Sequence, residues 1–471
     1  MPVSASDIKL YWSEVVSNTS ANGGRPTRNP VTTARHGLLP RISRTDRENG
    51  VVLYRKPFLA NENAADETFF DALFFLTNPT NGGDRVAVAK GTLTDTQGDL
   101  DSSYLWLGCG QLQASLSGGE TSLALSMESD DMEFPNGGVL HLSGMFKAAQ
   151  DVAGDARPGD SIQESGGTWS KTAATDDITY PLGKYLGSGL VMTNDSDAEE
   201  WIDLAENLAT GEVIGTGDGA DDSPALSALA NSANGICAQT GKLPAVTATC
   251  GGVERTVDVA ADGSCSGYCT AGQLDMATGA WTTDITWASA PDDATGITIT
   301  YRELCYSYSG NVATIGLGGQ VANAYSASEC FGAPCLELGD IEASVSDWDD
   351  SGTAAGTYDE ATYPVVLHND GVVEDAWTVT FTSETNFTVS GAHTGSVGTG
   401  NVGSDFAPVN PVTGQPYFEI AAAGWGGAFA AGDTLTLSTH PAAAGIWFRE
   451  TVPAGTAQES DNLLGYAFYG E

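Results

Sequence analysis

Basic residues are scarce. The 471-residue chain has 19 Lys and Arg against 61 Asp and Glu, a net charge of −42. A surface this acidic repels nucleic acid and anionic membrane, so neither is expected as a partner. No apolar run reaches the roughly 20 residues that a helical membrane span needs. The opening MPVSASDIKLYW has no basic stretch leading into an apolar one, so no secretory signal is expected. Histidine is rare as well: His36, His141, His368, His393 and His440 are scattered and none neighbours a cysteine, which argues against a zinc site. Neither HExxH nor G-x-S-x-G occurs. Gly398, Gly400 and Gly403 have the G-x-G-x-x-G spacing, but SDFAPVNP follows and cannot open the helix that a dinucleotide loop requires. The GTGDG at 215–219 lacks the Lys-Ser/Thr of a phosphate-binding loop. Nothing in these motifs supports catalysis, and the chain reads as a non-enzyme without a required cofactor.

Glycine, in contrast, is abundant at 58 residues, and Thr, Ser, Val and Asp recur in short runs. That mixture favours many short strands joined by tight turns, an all-β chain of several β-sandwich or immunoglobulin-like modules. Alternation supports it. In VVEDAWTVTFTSETNFTVSG (372–391), Trp377, Val379 and Phe381 point one way and Thr378, Thr380 and Thr382 the other. Trp281, Ile285 and Trp287 alternate likewise in the hairpin that ends in GITITYR. ETFFDALFFLTNP is dense enough to be a buried strand pair or a short helix. Residues 150–185 read as loop, and 188–205 as strand, turn and strand. Among the ten tryptophans, Trp348, set between acids, is the candidate for an exposed ring.

Charge is polarised along the chain. Residues 1–60 hold nine Lys and Arg and four acids. Residues 13–50 are broken by Pro26, Pro30, Pro40 and a Gly-Gly pair. We read residues 1–60 as a basic, extended N-terminal arm that docks on an acidic surface through Arg25, Arg28, Arg35, Arg41, Arg44 and Arg47. The remaining organisation reads as a β domain at 61–211, an inserted immunoglobulin-like sandwich at 212–302, a continuation of the β domain at 303–345 and a C-terminal β-sandwich at 346–471.

Seven of the eight cysteines fall within 237–335. Cys265 with Cys269 and Cys330 with Cys335 are spaced to close small loops, and Cys237 with Cys250 to staple neighbouring strands. Disulfides, free buried thiols and a metal site all remain open. The Asp-rich loops at 129–131, 218–222 and 347–350 are candidates for Ca²⁺ or for solvated surface, and none has EF-hand spacing.

Several stretches carry a resemblance. GEVIGTGDG with DMATGAWTTDITWASAPDDATGITITYR resembles a β-sandwich unit that recurs in virion proteins of tailed bacteriophages. DRENGVVLYRKPFLANENAAD and GTLTDTQGD near the start resemble a family of phage structural proteins, as do AWTVTFTSETNFTVSG, FAPVNPVTGQPYF, AGDTLTLSTHPAA and IWFRETVPAG near the end. The resemblance implies a virion component of the tail, baseplate or neck, assembled in the host cytoplasm as a homo-oligomer with other virion proteins. It implies no catalytic residues. Two alternatives stand beside it: a capsid decoration or head-fibre protein, and a receptor- or carbohydrate-binding adhesin that meets a host surface glycan.

Overall fold

The computed structural model describes residues 3–32, 36–80, 82–147, 161–165, 168–171, 182–187, 190–193, 199–327, 330–459, 462 and 464–470. The chain is almost wholly antiparallel β. It divides into a base, built from both ends of the sequence, and two inserted modules.

The base contains a six-stranded sheet with Ala443–Val452 at its heart. That strand pairs with Pro57–Asn61, with Val51–Arg55 and with Arg85–Gly91. Its sequence explains its position: Ile446, Trp447 and Phe448 form an unbroken apolar run and are fully buried, as expected for a strand covered on both faces. A three-stranded sheet places Phe69–Asn78 between Leu336–Ile341 and Gly465–Tyr469. The segment ETFFDALFFLTNP is therefore one ten-residue strand. A larger sheet runs through Val139–Lys147, Cys330–Pro334, Ser122–Met127 and Val312–Gly316. Two apolar clusters fill the base, one around Phe134, Leu140 and Ile315, the other around Phe74, Phe75 and Phe448.

The first inserted module is a sandwich. Leu208–Thr216, Gly296–Arg302, Ala245–Cys250, Val253–Val259 and Cys265–Gly267 form one sheet, and Cys269–Asp275 with Ala280–Trp287 form the other. Ile297, Ile299, Tyr301, Ile285 and Trp287 meet in its core, and Trp281 packs at the edge. The second module holds the sheet Ser344–Asp349, Thr434–His440, Asp375–Phe381, Asn386–Gly391 and Gly395–Asn401. Trp377, Val379 and Phe381 are buried there beside Phe387, Leu435 and Leu437. The cores of the two modules share no residue with each other or with the base.

Four expectations are corrected. Residues 1–60 are not an extended arm. Ile8–Val15 and Gly23–Pro30 form a hairpin, Arg44–Asn49 a short capped helix, and the next two strands enter the main sheet. The prolines that break the pattern, Pro26 and Pro30, lie on the edge strand, where a missing N–H costs no ladder bond. Gly23 at φ 110° opens that strand, and a Cβ there would lie 2.7 Å from the Asp95 carbonyl oxygen and 2.9 Å from the Trp447 ring. The C-terminal sandwich does not run to 471, because Ala443–Val452 and Gly465–Tyr469 return to the base. Residues 150–185 are not all loop: Ser161–Ser165 pairs on one side with Thr168–Lys171 and on the other with the start of Leu182–Gly187. Main-chain bonds carry such pairing, so a polar composition hides it. Trp348 is half-buried and packs against Tyr358, with ring centroids 5.1 Å apart and planes tilted by 41°. The turn expected near 194–198 lies outside the described residues.

Candidate functional site: buried charges and module seats

The arginines assigned to docking are dispersed. Arg28 pairs with Glu62, lies 5.6 Å from the centre of the Tyr11 ring and donates to the Asn369 carbonyl at 3.2 Å. Arg44 pairs with Glu48 one helical turn away at 2.7 Å. Arg25 and Arg47 are half-buried, Arg41 is exposed and Arg35 lies outside the described residues. Of the five described arginines, Arg28 and Arg44 are each already paired with a carboxylate of the same segment or its neighbour.

Two buried charge groups were missed by sequence reasoning. Lys56 is fully buried and pairs with Asp95 at 2.5 Å. Its ammonium also donates to the carbonyls of Gly24 and Asp95, at 3.0 and 2.9 Å. Burial works against charge on Asp95, but Lys56, the Tyr104 hydroxyl at 2.6 Å and Trp447 Nε1 at 2.8 Å outweigh it and hold its carboxyl below the usual range. The second group is acidic. Glu450 and Asp84 are buried beside Arg55. Burial first, then the neighbouring Asp84, push the Glu450 carboxyl up to about 8. Glu128, which accepts from Thr80 Oγ1 and Val86 N–H, is pushed up to about 7 by burial. The only sequence signal for these groups was a charged residue inside an apolar strand, as in YRKPFLA and IWFRETV.

All eight cysteines are free thiols. Of the possibilities left open for Cys237, Cys250, Cys265, Cys269, Cys330 and Cys335, the structure has free thiols and not disulfides. Cys330–Pro334 is an extended strand, not a loop, and Cys330 and Cys335 fall in different apolar clusters of the base, so their spacing brings no pairing. Burial pushes the Cys265 thiol up to about 11 and those of Cys305 and Cys330 up to about 12, which disfavours the reactive thiolate. Among the described residues, no three His, Cys, Asp or Glu side chains are placed to hold a metal ion. Acids of the Asp-rich loops have protein partners instead: Asp218 accepts from the N–H groups of Ala220 and Asp221, Asp349 from that of Ser351, and Asp131 pairs with Arg449 at 2.9 Å. Gly400 of the G-x-G-x-x-G spacing lies on the edge strand Gly395–Asn401 against the Phe387 ring, where a Cβ would come within 2.3 Å.

The modules are seated in chemically different ways. At the root of the first, the fully buried Asn136 donates to the carbonyls of Glu303 (2.6 Å) and Glu206 (3.1 Å) and accepts from Cys305 N–H (3.1 Å). Gln239 returns the bond, accepting from Asn136 N–H and donating to the Phe134 carbonyl. The Lys242 ammonium also donates to the Asn136 carbonyl, so this is a clamp of neutral amides and one lysine, without a histidine. The second module is held by titratable groups. His368 Nδ1 lies 2.9 Å from Asp66 of the base, and its Nε2 lies 3.2 Å from Glu419 of the module. Asn369 N–H donates to the other Asp66 oxygen at 2.8 Å. His393 of the module faces Glu14 of the base at 3.3 Å. His440, at the module's exit, sits 2.8 Å from Glu374. No helix among the described residues is long and apolar enough to cross a membrane.

No family model matches the chain, and no curated protein matches it. Among solved structures, it is aligned with a chain of "Structure of infectious bursal disease virus Gt strain" at 12% identity over 89% of this chain and 85% of that one; the TM-score of 0.07 is too low to carry any argument.

Proposed function

We propose that the chain is a structural subunit of a tailed-phage virion, of the tail, baseplate or neck, that works by assembly. One observation carries the reading. The two terminal stretches that resemble phage structural proteins, VVLYRKPFLAN and IWFRETV, lie side by side: Val51–Arg55 and Pro57–Asn61 both pair with Ala443–Val452. Segments nearly 400 residues apart in sequence thus make one sheet, as a family core interrupted by two inserted sandwiches would. The inserted modules leave the base intact and add surface for lateral contacts with other copies or with other virion proteins. Since the basic N-terminal segment is folded into that base, assembly works through module and sheet surfaces and not through a free arm.

The test is location. Antibody labelling of the second module on intact particles, with quantitative mass spectrometry of purified virions, is expected to show a fixed copy number at the tail, baseplate or neck. Absence from purified particles would sink the proposal. Labelling of the head would favour a decoration protein.

A further inference from the structure

The geometry points to a proton-dependent latch at His368 that seats the second inserted module on the base, closed when the imidazole is charged and loosened when it is neutral. This stands independently of the virion reading. Both ring nitrogens of His368 face carboxylates, Asp66 at 2.9 Å and Glu419 at 3.2 Å. An ionised carboxylate only accepts hydrogen bonds, and a neutral imidazole has one N–H to donate. Both contacts are therefore satisfied only by the imidazolium. Without the extra proton, one carboxylate meets a ring lone pair, and two negative groups face each other across an uncharged ring.

The surroundings leave histidine as the main source of positive charge. Asp66 and Glu67 come from the base, and Asp370 and Glu419 from the module. Arg28 is the other cation here, and it is engaged with Glu62, whose carboxylate also accepts from Tyr11. The secondary contact at His393 faces Glu14, and its backbone N–H is held by Asp375. At the exit strand, His440 lies between Glu374 and Ser346 Oγ, and that hydroxyl donates to Asp347. The three described histidines of the module thus all lie against acids at its seat or its exit strand. The module's apolar core shares no residue with that of the base, so the polar seat is not backed by a common core. The first module, clamped by the amides of Asn136 and Gln239, has no such dependence.

The sign follows from linkage. The hydrogen bond to Asp66 raises the His368 pKa most, with burial opposing and Glu419 adding. A group whose pKa is raised in the seated state contributes fully below its unseated value, and the contribution is lost as pH rises through the seated one. The latch therefore opens above the ordinary histidine range.

Hydrogen exchange of the whole chain, corrected for the intrinsic pH dependence of exchange, tests this on the peptide spanning 364–372. In the wild type, protection is expected to fall about fivefold or more between pH 6 and pH 9, while Asp375–Phe381 in the module core stays unchanged. H368Q should be poorly protected at both pH values. E419Q should be protected at both, because a glutamine amide can donate to the neutral ring. Equal protection of the wild type at both pH values, or an unchanged pH response in both variants, would overturn the latch.

Discussion

Trp447 donates its indole N–H to Asp95 at 2.8 Å across 352 residues of sequence. The bond fixes the central strand of the base to a loop near the N-terminus, and the Lys56 ammonium holds the other oxygen of the same carboxylate. Removing one member leaves a buried partner without compensation. K56M is expected to destabilise the base by about 3–5 kcal/mol, since it strands the Asp95 carboxylate, whereas W447F, which deletes one hydrogen bond and part of the ring, should cost less. Chemical denaturation followed by tryptophan fluorescence checks the order. For Asp95, whose folded pKa is depressed, the stabilisation is present at neutral pH and is lost as pH falls below the ordinary carboxylate range.

Glu450 gives the opposite slope. Its folded pKa of about 8 lies above that of an unfolded glutamate, so its contribution is full only below the ordinary glutamate range and declines from there as pH rises toward 8, by up to about 1.4 kcal/mol per pH unit. E450Q keeps the shape and removes the titration. Thermal melts from pH 5 to pH 9 should show a flatter profile for the variant, with its largest gain over wild type at the alkaline end. Parallel profiles would mean that Glu450 does not govern the slope.

Asn136 is expected to be the residue on which the seat of the first module depends most. N136A leaves the Glu303 and Glu206 carbonyls and the Cys305 N–H without their partner, at about 1–3 kcal/mol for each group that water cannot reach. Limited proteolysis should then cut at 205–207 and 302–305 before it cuts the strands of the module.

Gly400 separates a packing role from a ligand role. Its missing Cβ accommodates the Phe387 ring, so G400A should overpack the second module and lower its stability by about 1–3 kcal/mol. Nucleotide titration of the wild type, followed calorimetrically, should give no heat of binding.

The fold class was legible because alternation survives in the strands that face one core. Trp377, Val379 and Phe381 announced their own burial, and the ITITY segment did the same. The N-terminal hairpin was not legible, because Pro26 and Pro30 look like breakers unless the strand is known to lie at an edge. The extent of the C-terminal unit was hidden for a different reason: IWFRETV reads as a strand wherever it pairs, and only the three-dimensional partner shows that it belongs with Val51–Arg55. Lys56 and Asp95, Asp84 and Glu450, and His368 and Asp66 escaped detection because each pair joins distant segments. A single sequence shows which side chains carry charge, but not which of them are brought together out of water.

The interleaved sheet also sets an order of completion. Pro57–Asn61 finds a first partner in Ile8–Val15, but Val51–Arg55 and Arg85–Gly91 pair in that sheet only with Ala443–Val452, which leaves the ribosome after both inserted modules. Those modules contain their own pairings and can close as they emerge, while the central sheet of the base stays open until Ala443–Val452 has been made. A prematurely terminated chain would carry finished modules on an unfinished base. The topology thereby couples closure of the base to the strand Ala443–Val452, and a chain that stops before that strand cannot complete its central sheet.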